Sequence, residues 1–242
     1  MVDYVEETEL ALREKRYVQA TVYANCFSMH EGRQLSEHER NVFFQAYDAR
    51  IENETKTAEP NERKKKTLNQ VIQVLEDFLI EDAASPKDLV LYWKKLGDYG
   101  WTMSELLSEP RDRSTAIQDA KHAYEAATRW LSETSKIPPH HPVRLELAIS
   151  HADFCYHALE ERQERAIEIA KTAFDDHIAE LGTPDEATSR ANTRNLQRLK
   201  ERLDAWLLDS PHKGKYTETT DGDEGLQEKR QPNCTLRQVT YC

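Results

Sequence analysis

The chain has 242 residues, a mass of 28.1 kDa and a formal net charge of −11 at pH 7, and 32% of its residues are charged. This length is enough to bury a sizeable core, whereas the negative charge opposes general binding to nucleic acid or to an anionic membrane. The sequence has no apolar run of about 18 residues and no amino-terminal leader pattern, so we predict a cytoplasmic protein without nucleic-acid or membrane partners.

The four cysteines include no C-x-x-C pair, the spacing that is typical of thiol redox and zinc motifs. Cys26 and Cys155 fall inside apolar helical patterns, where a thiol behaves as a small core residue. This usage agrees with the reducing environment of the cytosol.

Apolar residues at helical spacing predict four helices in the first third of the chain. The first covers residues 2 to about 14, and the second, apolar almost all round, runs from Arg16 to about His30. Ser36 and Glu39 form a capping box that begins the third helix. Residues 59–61 predict a turn before the fourth helix.

The fifth helix begins at Ser85-Pro86, which supplies an N-cap and a proline at the first helical position. Lys94, Asp98 and Trp101 lie at i, i+4 and i+7, so a cation, an anion and an indole share one stripe. The same helix contains two glycines, at positions 97 and 100, and their low helix propensity predicts close packing against a neighbouring helix.

The rest of the chain predicts four more helices and a tail. The sixth helix runs from about Ser114 to Ser135, and an antiparallel pair follows between His141 and Leu181. Thr183-Pro184 begins the ninth helix. We therefore expect a helical domain over residues 1–209, followed by a flexible acidic and polar tail over residues 210–242.

Five short sequences stand out along the predicted helices. They are His141-Pro142-Val143-Arg144-Leu145, Lys171-Thr172-Ala173-Phe174-Asp175-Asp176, Ile178-Ala179-Glu180-Leu181, Gly97-Asp98-Tyr99, and the set Leu35, Ser36, Glu39, Arg40 and Asn41. Together they resemble the signature of the 14-3-3 family. The resemblance extends from the first helix to about Leu208. It implies an all-α fold in which about nine antiparallel helices form a cup.

Relative to the family, about 25 residues are missing around the turn between the third and fourth helices. In 14-3-3 proteins the far ends of these helices receive the first two helices of the partner subunit. The resemblance therefore implies a shortened hairpin, and it leaves open whether the chain forms a homodimer or a heterodimer through that interface.

In 14-3-3 proteins a phosphoserine or phosphothreonine peptide lies in a groove, and a group of basic side chains and a tyrosine hold its phosphate. At the corresponding positions Lys94 matches, whereas Asp48 replaces a lysine, Thr55 and Trp101 replace arginines, and Thr102 replaces the tyrosine. Because an aspartate repels a phosphate dianion, the resemblance implies a degenerate phosphate site.

Other ligand-binding positions of the family are also changed. Ser150 and Arg202 replace asparagines that hold the peptide backbone. The family's apolar wall corresponds to Ile149, Asp153, Asn195, Arg198, Ala205 and Trp206. Arg198 and Arg202 belong to a basic stripe on the ninth helix. In one interpretation, this stripe and Lys94 form a relocated anion site. In the other, the two arginines pair with Glu201, Asp204 or Asp153 on a solvated face.

Two residue pairs on the seventh helix have side chains of the types that bind metals. His151 and Cys155 lie at i and i+4, as do Asp153 and His157, but two ligands do not complete a metal site. The sequence has no H-E-x-x-H motif, no P-loop and no glycine-rich nucleotide motif. We predict no enzymatic activity, no metal and no cofactor, and we expect Asp153 and His157 to be hydrogen-bonded groove residues.

The leading functional hypothesis is a divergent 14-3-3-like adaptor in signal transduction, which binds protein segments in its groove with lost or rebuilt phosphate recognition. Its own tail is one candidate occupant of the groove. The alternatives are a phosphopeptide adaptor that uses the basic stripe, a regulatory protein that heterodimerises with a relative, and a TPR-like interaction module.

Overall fold

The computed structural model describes residues 2–30, 32–56, 59–134, 136–138, 141–159, 163–179 and 186–209. Within these ranges every regular element is helical, which confirms the all-α prediction. The helices are α1 Tyr4–Arg13, α2 Tyr17–Ser28, α3 Glu37–Glu54, α4 Pro60–Val74, α5 Pro86–Leu106, α6 Pro110–Glu133, α7 Pro142–Ala158, α8 Gln163–Ala179 and α9 Glu186–Asp209. None of these helices combines the length and apolarity that crossing a bilayer requires.

The predicted helix starts are visible as specific hydrogen bonds. At α3 the Ser36 hydroxyl accepts from the Glu39 amide at 3.2 Å, and the Glu39 carboxylate accepts from the Ser36 amide at 2.8 Å. At α5 the Ser85 hydroxyl accepts from the Asp88 amide at 3.2 Å. At α7 the His141 ring accepts from the Val143 amide, a cap that we did not predict. Each bond satisfies an amide that has no partner within its own helix.

The start of α6 differs from its prediction, and the start of α9 cannot be compared with its own. α6 begins at Pro110 rather than near Ser114, because a proline is tolerated in the first helical turn, where its missing N–H would have no partner. The predicted start of α9 at Thr183-Pro184 lies outside the described residues, as does the predicted tail over residues 210–242. α4 continues into a π-helical turn over Leu75–Leu79.

The core consists of two apolar clusters that α5 connects. The amino-terminal cluster is built around Phe43, Tyr47 and Tyr92, and the carboxy-terminal cluster around Tyr124 and Phe154. Trp93 of α5 packs against both clusters. The described residues of the helical domain therefore share a continuous apolar interior from α1 to α9.

Gly97 and Gly100 allow α5 to approach α6 closely. A Cβ at position 97 would lie 3.0 Å from the Tyr124 ring, and one at position 100 would lie 3.3 Å from the Ala120 Cβ. This confirms the prediction of close packing at both glycines.

A buried ion pair joins α3 to the start of α5. The Arg40 guanidinium lies 2.8 Å from the Asp88 carboxylate, and their side chains are 4% and 8% exposed. Asp88 also accepts from the Ser85 hydroxyl, so one carboxylate connects the pair to the helix cap. Removing one member of such a pair leaves the other charge desolvated and without a counter-ion.

We therefore expect Arg40→Ala to reduce the free energy of unfolding by about 3 to 5 kcal/mol, measured by urea denaturation. Lys65→Ala is the matched control, because Lys65 pairs with Glu62, whose side chain is 72% exposed. The control should change stability by less than about 1 kcal/mol. Equal losses in the two variants would contradict a special role for the buried pair.

Candidate functional site

Asp48 joins α3 to α5 through two hydrogen bonds. Its carboxylate accepts from the Lys95 ammonium at 2.8 Å and from the Tyr99 hydroxyl at 2.7 Å. The Lys95 ammonium also lies over the Tyr99 ring, 5.4 Å from its centre. Each carboxylate oxygen of Asp48 thus accepts one hydrogen bond from α5, although the side chain is half exposed.

Asp98 forms the next group of contacts along α5. Its carboxylate accepts from the Lys94 ammonium at 2.7 Å and from the Tyr124 hydroxyl of α6 at 2.7 Å. The Lys94 side chain is only 12% exposed. The predicted cation and anion on one stripe of α5 therefore form a partly buried ion pair.

A third ion pair connects α7 to α9, between the Asp153 carboxylate and the Arg202 guanidinium. Beside it the Tyr156 and Trp206 rings stack with their centres 4.7 Å apart. We refer to the residues of the three ion pairs as the polar row; they are Asp48, Lys95, Lys94, Asp98, Asp153 and Arg202.

The electrostatics show that members of the polar row are close together. The pKa of Tyr99 is raised well above its usual value, first by burial and then by the carboxylates of Asp48 and Asp98. Burial, Asp98 and then Asp153 raise the pKa of Tyr124 in the same way. Both phenols consequently remain protonated donors at neutral pH.

Aromatic side chains continue this surface from α5 to α7. The Trp101 ring packs edge-on against Phe154, with ring centres 5.9 Å apart, and lies nearly parallel to His157 at 6.3 Å. Phe154 is buried, whereas His157 is exposed. Trp101 therefore joins the core to a ring at the surface.

A family model described as 14-3-3 protein matches residues 53–207, which is more than half of the chain. The chain belongs to the 14-3-3 family. It is 30% identical over 248 residues to 14-3-3 protein beta/alpha of Homo sapiens, covering 92% of this chain and 95% of that protein. It is 32% identical over 239 residues to 14-3-3-like protein 1 of Caenorhabditis elegans, covering 86% and 94%.

A further relative is 14-3-3 protein theta of Mus musculus, 31% identical over 250 residues and covering 91% of this chain and 100% of the relative. Family membership gives this 14-3-3 protein a role as a protein-binding adaptor. Its relatives are adaptors rather than enzymes.

Two residues that the sequence comparison placed at phosphate-binding positions of the family form hydrogen bonds within their own helices. The Thr55 hydroxyl donates to the Glu52 carbonyl at 2.6 Å, at the end of α3. The Thr102 hydroxyl donates to the Asp98 carbonyl at 2.9 Å. Both hydroxyl protons are therefore already used, which leaves only the acceptor side of each group for a ligand.

The predicted basic stripe divides into different environments. Arg202 pairs with Asp153, which is one of the pairings expected for a solvated face. Arg198 is exposed, and its side chain has no partner among the described residues. Ser150 is partly exposed, and Trp206 is buried against Tyr156. The structure thus does not bring Lys94, Arg198 and Arg202 together as three available cations.

Sequence reasoning did not identify Lys95, Tyr99 and Tyr124 as members of this surface. Lys95 and Tyr99 lie at i and i+4 on α5, which was the available local signal. Their shared partner Asp48 is about fifty positions away in sequence, so no helical spacing predicts the contact. Tyr124 carries the pattern of a core residue and gives no sign of its hydroxyl contact.

His151 is a packed residue rather than part of a metal cluster. Its ring stacks on Tyr124 with centres 5.5 Å apart, and its Nδ1 lies 3.1 Å from the Thr128 hydroxyl. No group of three His, Cys, Asp or Glu residues suited to a metal exists in the described part of the chain. Burial, and to a smaller extent the charge of Arg165, lowers the pKa of His151 to about 4.

This shift makes stability depend on pH. The unfolded chain protonates His151 below its ordinary pKa, whereas the folded chain resists protonation until about pH 4, so stability falls as the pH drops through this window. Replacing His151 with Phe keeps a ring on Tyr124 and removes the titration. We expect the wild type to lose roughly 2 kcal/mol more than His151→Phe between pH 7.5 and 4.5.

The measurement is urea denaturation of both proteins across this pH range. Because the carboxylates titrate in both proteins, only the difference between the two curves reports on His151. Parallel curves would show that His151 is not buried in its neutral form.

Proposed function

We propose that this 14-3-3 family member is an adaptor that binds protein segments at the polar row with little contribution from a phosphate on the segment. One observation carries the proposal. Each cation of the row is held by an aspartate of the protein itself, as Lys95 with Asp48, Lys94 with Asp98, and Arg202 with Asp153.

A phosphate dianion at the row would have to compete with these aspartates. Binding a dianion requires several charge-assisted donors, and each donor recruited here would leave a carboxylate without its counter-ion. The carboxylates would also repel the dianion directly. These costs oppose phosphate recognition, whereas an uncharged segment leaves the three ion pairs intact.

The surface still offers contacts to a neutral or weakly charged segment. His157 is exposed and stacks on Trp101, which provides an aromatic surface for an apolar side chain. Arg198 is an exposed donor on α9 that suits an acidic side chain of the segment. The proposed binding surface therefore combines aromatic contact with donors that do not depend on phosphate.

The proposal predicts similar affinities for phosphorylated and unphosphorylated forms of the same segment. The probe is a peptide array in which each sequence is present with serine and with phosphoserine, followed by fluorescence anisotropy on the binders. The two forms should differ by less than about threefold, because a tenfold preference requires about 1.4 kcal/mol of differential binding. Human 14-3-3 protein beta/alpha serves as the comparison protein.

Charge reversal tests the surface itself. Arg198→Glu should weaken the binders that carry an acidic side chain, whereas Lys200→Glu, the same charge change at an exposed position of the same helix, should not. Phosphoserine peptides that bind with a strong preference, and lose it in Arg198→Glu or Arg202→Glu, would instead establish the phosphopeptide adaptor with a relocated anion site.

A second candidate function is regulation of a relative by heterodimerisation. The observation that favours it is a set of exposed apolar side chains on and beside α1 and α2, whereas the α3–α4 hairpin is short. These side chains are Val2, Tyr4, Leu10, Val18 and Val22. In 14-3-3 proteins the first two helices dock on the third and fourth helices of the partner subunit. This chain therefore has apolar docking helices, α1 and α2, but a short receiving hairpin, α3–α4.

Sedimentation velocity separates a heterodimer from a homodimer. We expect the isolated chain to be mainly monomeric at micromolar concentration, and to form a heterodimer with human 14-3-3 protein beta/alpha, which supplies longer receiving helices. Val18→Asp should abolish the heterodimer because it places a charge in an apolar contact. A stable homodimer of the isolated chain would contradict this second candidate.

A further inference from the structure

A pocket of about 240 Å³ lies between α6, α7 and α8, and none of the residues that line it belongs to the polar row. The buried ring of His151 lines it from α7, and the Lys, Arg and Glu side chains that line it come from α6 and α8. Its lining includes Lys121, Glu125, Thr128, Arg129, His151 and Arg165.

The charge of this pocket opposes that of the whole chain. Three cations, Lys121, Arg129 and Arg165, face one carboxylate, Glu125, in a chain of net charge −11. Lys121 is 3.8 Å from Glu125, which is a loose contact. The pocket thus contains an excess of positive charge, unlike the polar row, where cations and carboxylates are equal in number.

The arginines of the pocket are available to a ligand. Arg129 is exposed, and its side chain has no partner among the described residues. Arg165 bonds to Glu168, but both side chains of that pair are more than half exposed. Exposed ion pairs contribute little to stability, so no strong ion pair competes with a ligand for either arginine.

The hydrogen bonds of Thr128 determine which nitrogen of His151 carries a proton. The Thr128 hydroxyl donates its single proton to the Tyr124 carbonyl at 2.8 Å. Its contact with His151 Nδ1 at 3.1 Å therefore requires Nδ1–H to be the donor. Because burial lowers the pKa of this ring to about 4, the ring is neutral at pH 7 and Nε2 is a hydrogen-bond acceptor.

We propose that this pocket binds inorganic phosphate, with Arg129, Arg165 and Lys121 contacting its oxygens and its P–OH group donating to His151 Nε2. An anion that suits both the cations and a neutral acceptor must carry its own proton. Hydrogenphosphate does at neutral pH, whereas sulfate does not, and a phosphate monoester loses its last proton near pH 6. The volume admits a small anion and is below the range typical of larger ligands.

Isothermal titration calorimetry of the full chain at pH 7.5 tests the proposal, with sodium phosphate, sodium sulfate and methyl phosphate at constant ionic strength. Phosphate should bind saturably, and sulfate and methyl phosphate at least about tenfold more weakly, because neither has an O–H group to donate to His151 Nε2 at this pH. Arg129→Glu and Arg165→Glu should each weaken phosphate by about tenfold or more.

Arg113→Glu is the matched control, since Arg113 is an exposed residue of α6 outside the pocket and its reversal changes the net charge equally. It should leave phosphate binding unchanged. A loss in Arg113→Glu equal to that in Arg129→Glu would reduce the effect to overall charge and overturn the proposal, as would a response to phosphate that does not saturate.

His151→Phe tests the acceptor. It should lower the affinity for phosphate to the level of sulfate and leave the affinity for sulfate unchanged, because sulfate has no proton to donate to Nε2. Equal binding of phosphate, sulfate and methyl phosphate by the wild type would overturn the assignment of His151. These readouts are independent of peptide binding at the polar row, so either proposal can fail while the other stands.

Discussion

The carboxylate of Asp98 is the contact on which the arrangement of α5 depends. It accepts from Lys94 in its own helix and from Tyr124 in α6, and the Tyr124 ring covers Gly97. A side chain at position 97 would displace this ring from its hydrogen bond, because even a Cβ would lie 3.0 Å from the ring carbons. The close approach of α5 to α6, the position of the Tyr124 ring and the Lys94–Asp98 ion pair therefore depend on one another. Tyr124 also stacks on His151, so it contacts both the polar row and the pocket.

The two surfaces differ in how the protein treats its own cations. In the polar row, aspartates from α3, α5 and α7 neutralise the cations within a partly buried environment. Separating such an ion pair is unfavourable because it leaves a desolvated charge without its counter-ion. In the pocket, two exposed arginines line the surface with one carboxylate, and solvent screens the ion pair between Arg165 and Glu168. In our two proposals the first arrangement opposes an incoming dianion and the second attracts a small anion, although the same residue types build both.

The local features were predicted well because an α-helix places residues three and four apart on one face wherever it lies. The capping box at Ser36 and the pairing of Lys94 with Asp98 follow from this geometry. The close packing at Gly97 was predicted instead from the low helix propensity of glycine. The start of α6 was misplaced because a proline fits the first helical turn, so Pro110 continues the helix towards the amino terminus instead of preceding it.

The sequence by itself determined the all-α fold, most helix starts and the family of this protein, because those depend on spacing and on residue types within a few turns. Only the tertiary structure decided that Asp48 is held by Lys95 and Tyr99 and that His151 lies neutral beside three cations. The Asp48 contacts and the Asp153–Arg202 ion pair join residues 47 to 51 positions apart, so they depend on how α3 packs on α5 and how α7 packs on α9. Packing fixes burial and partner choice together, and these set the charge state of each group.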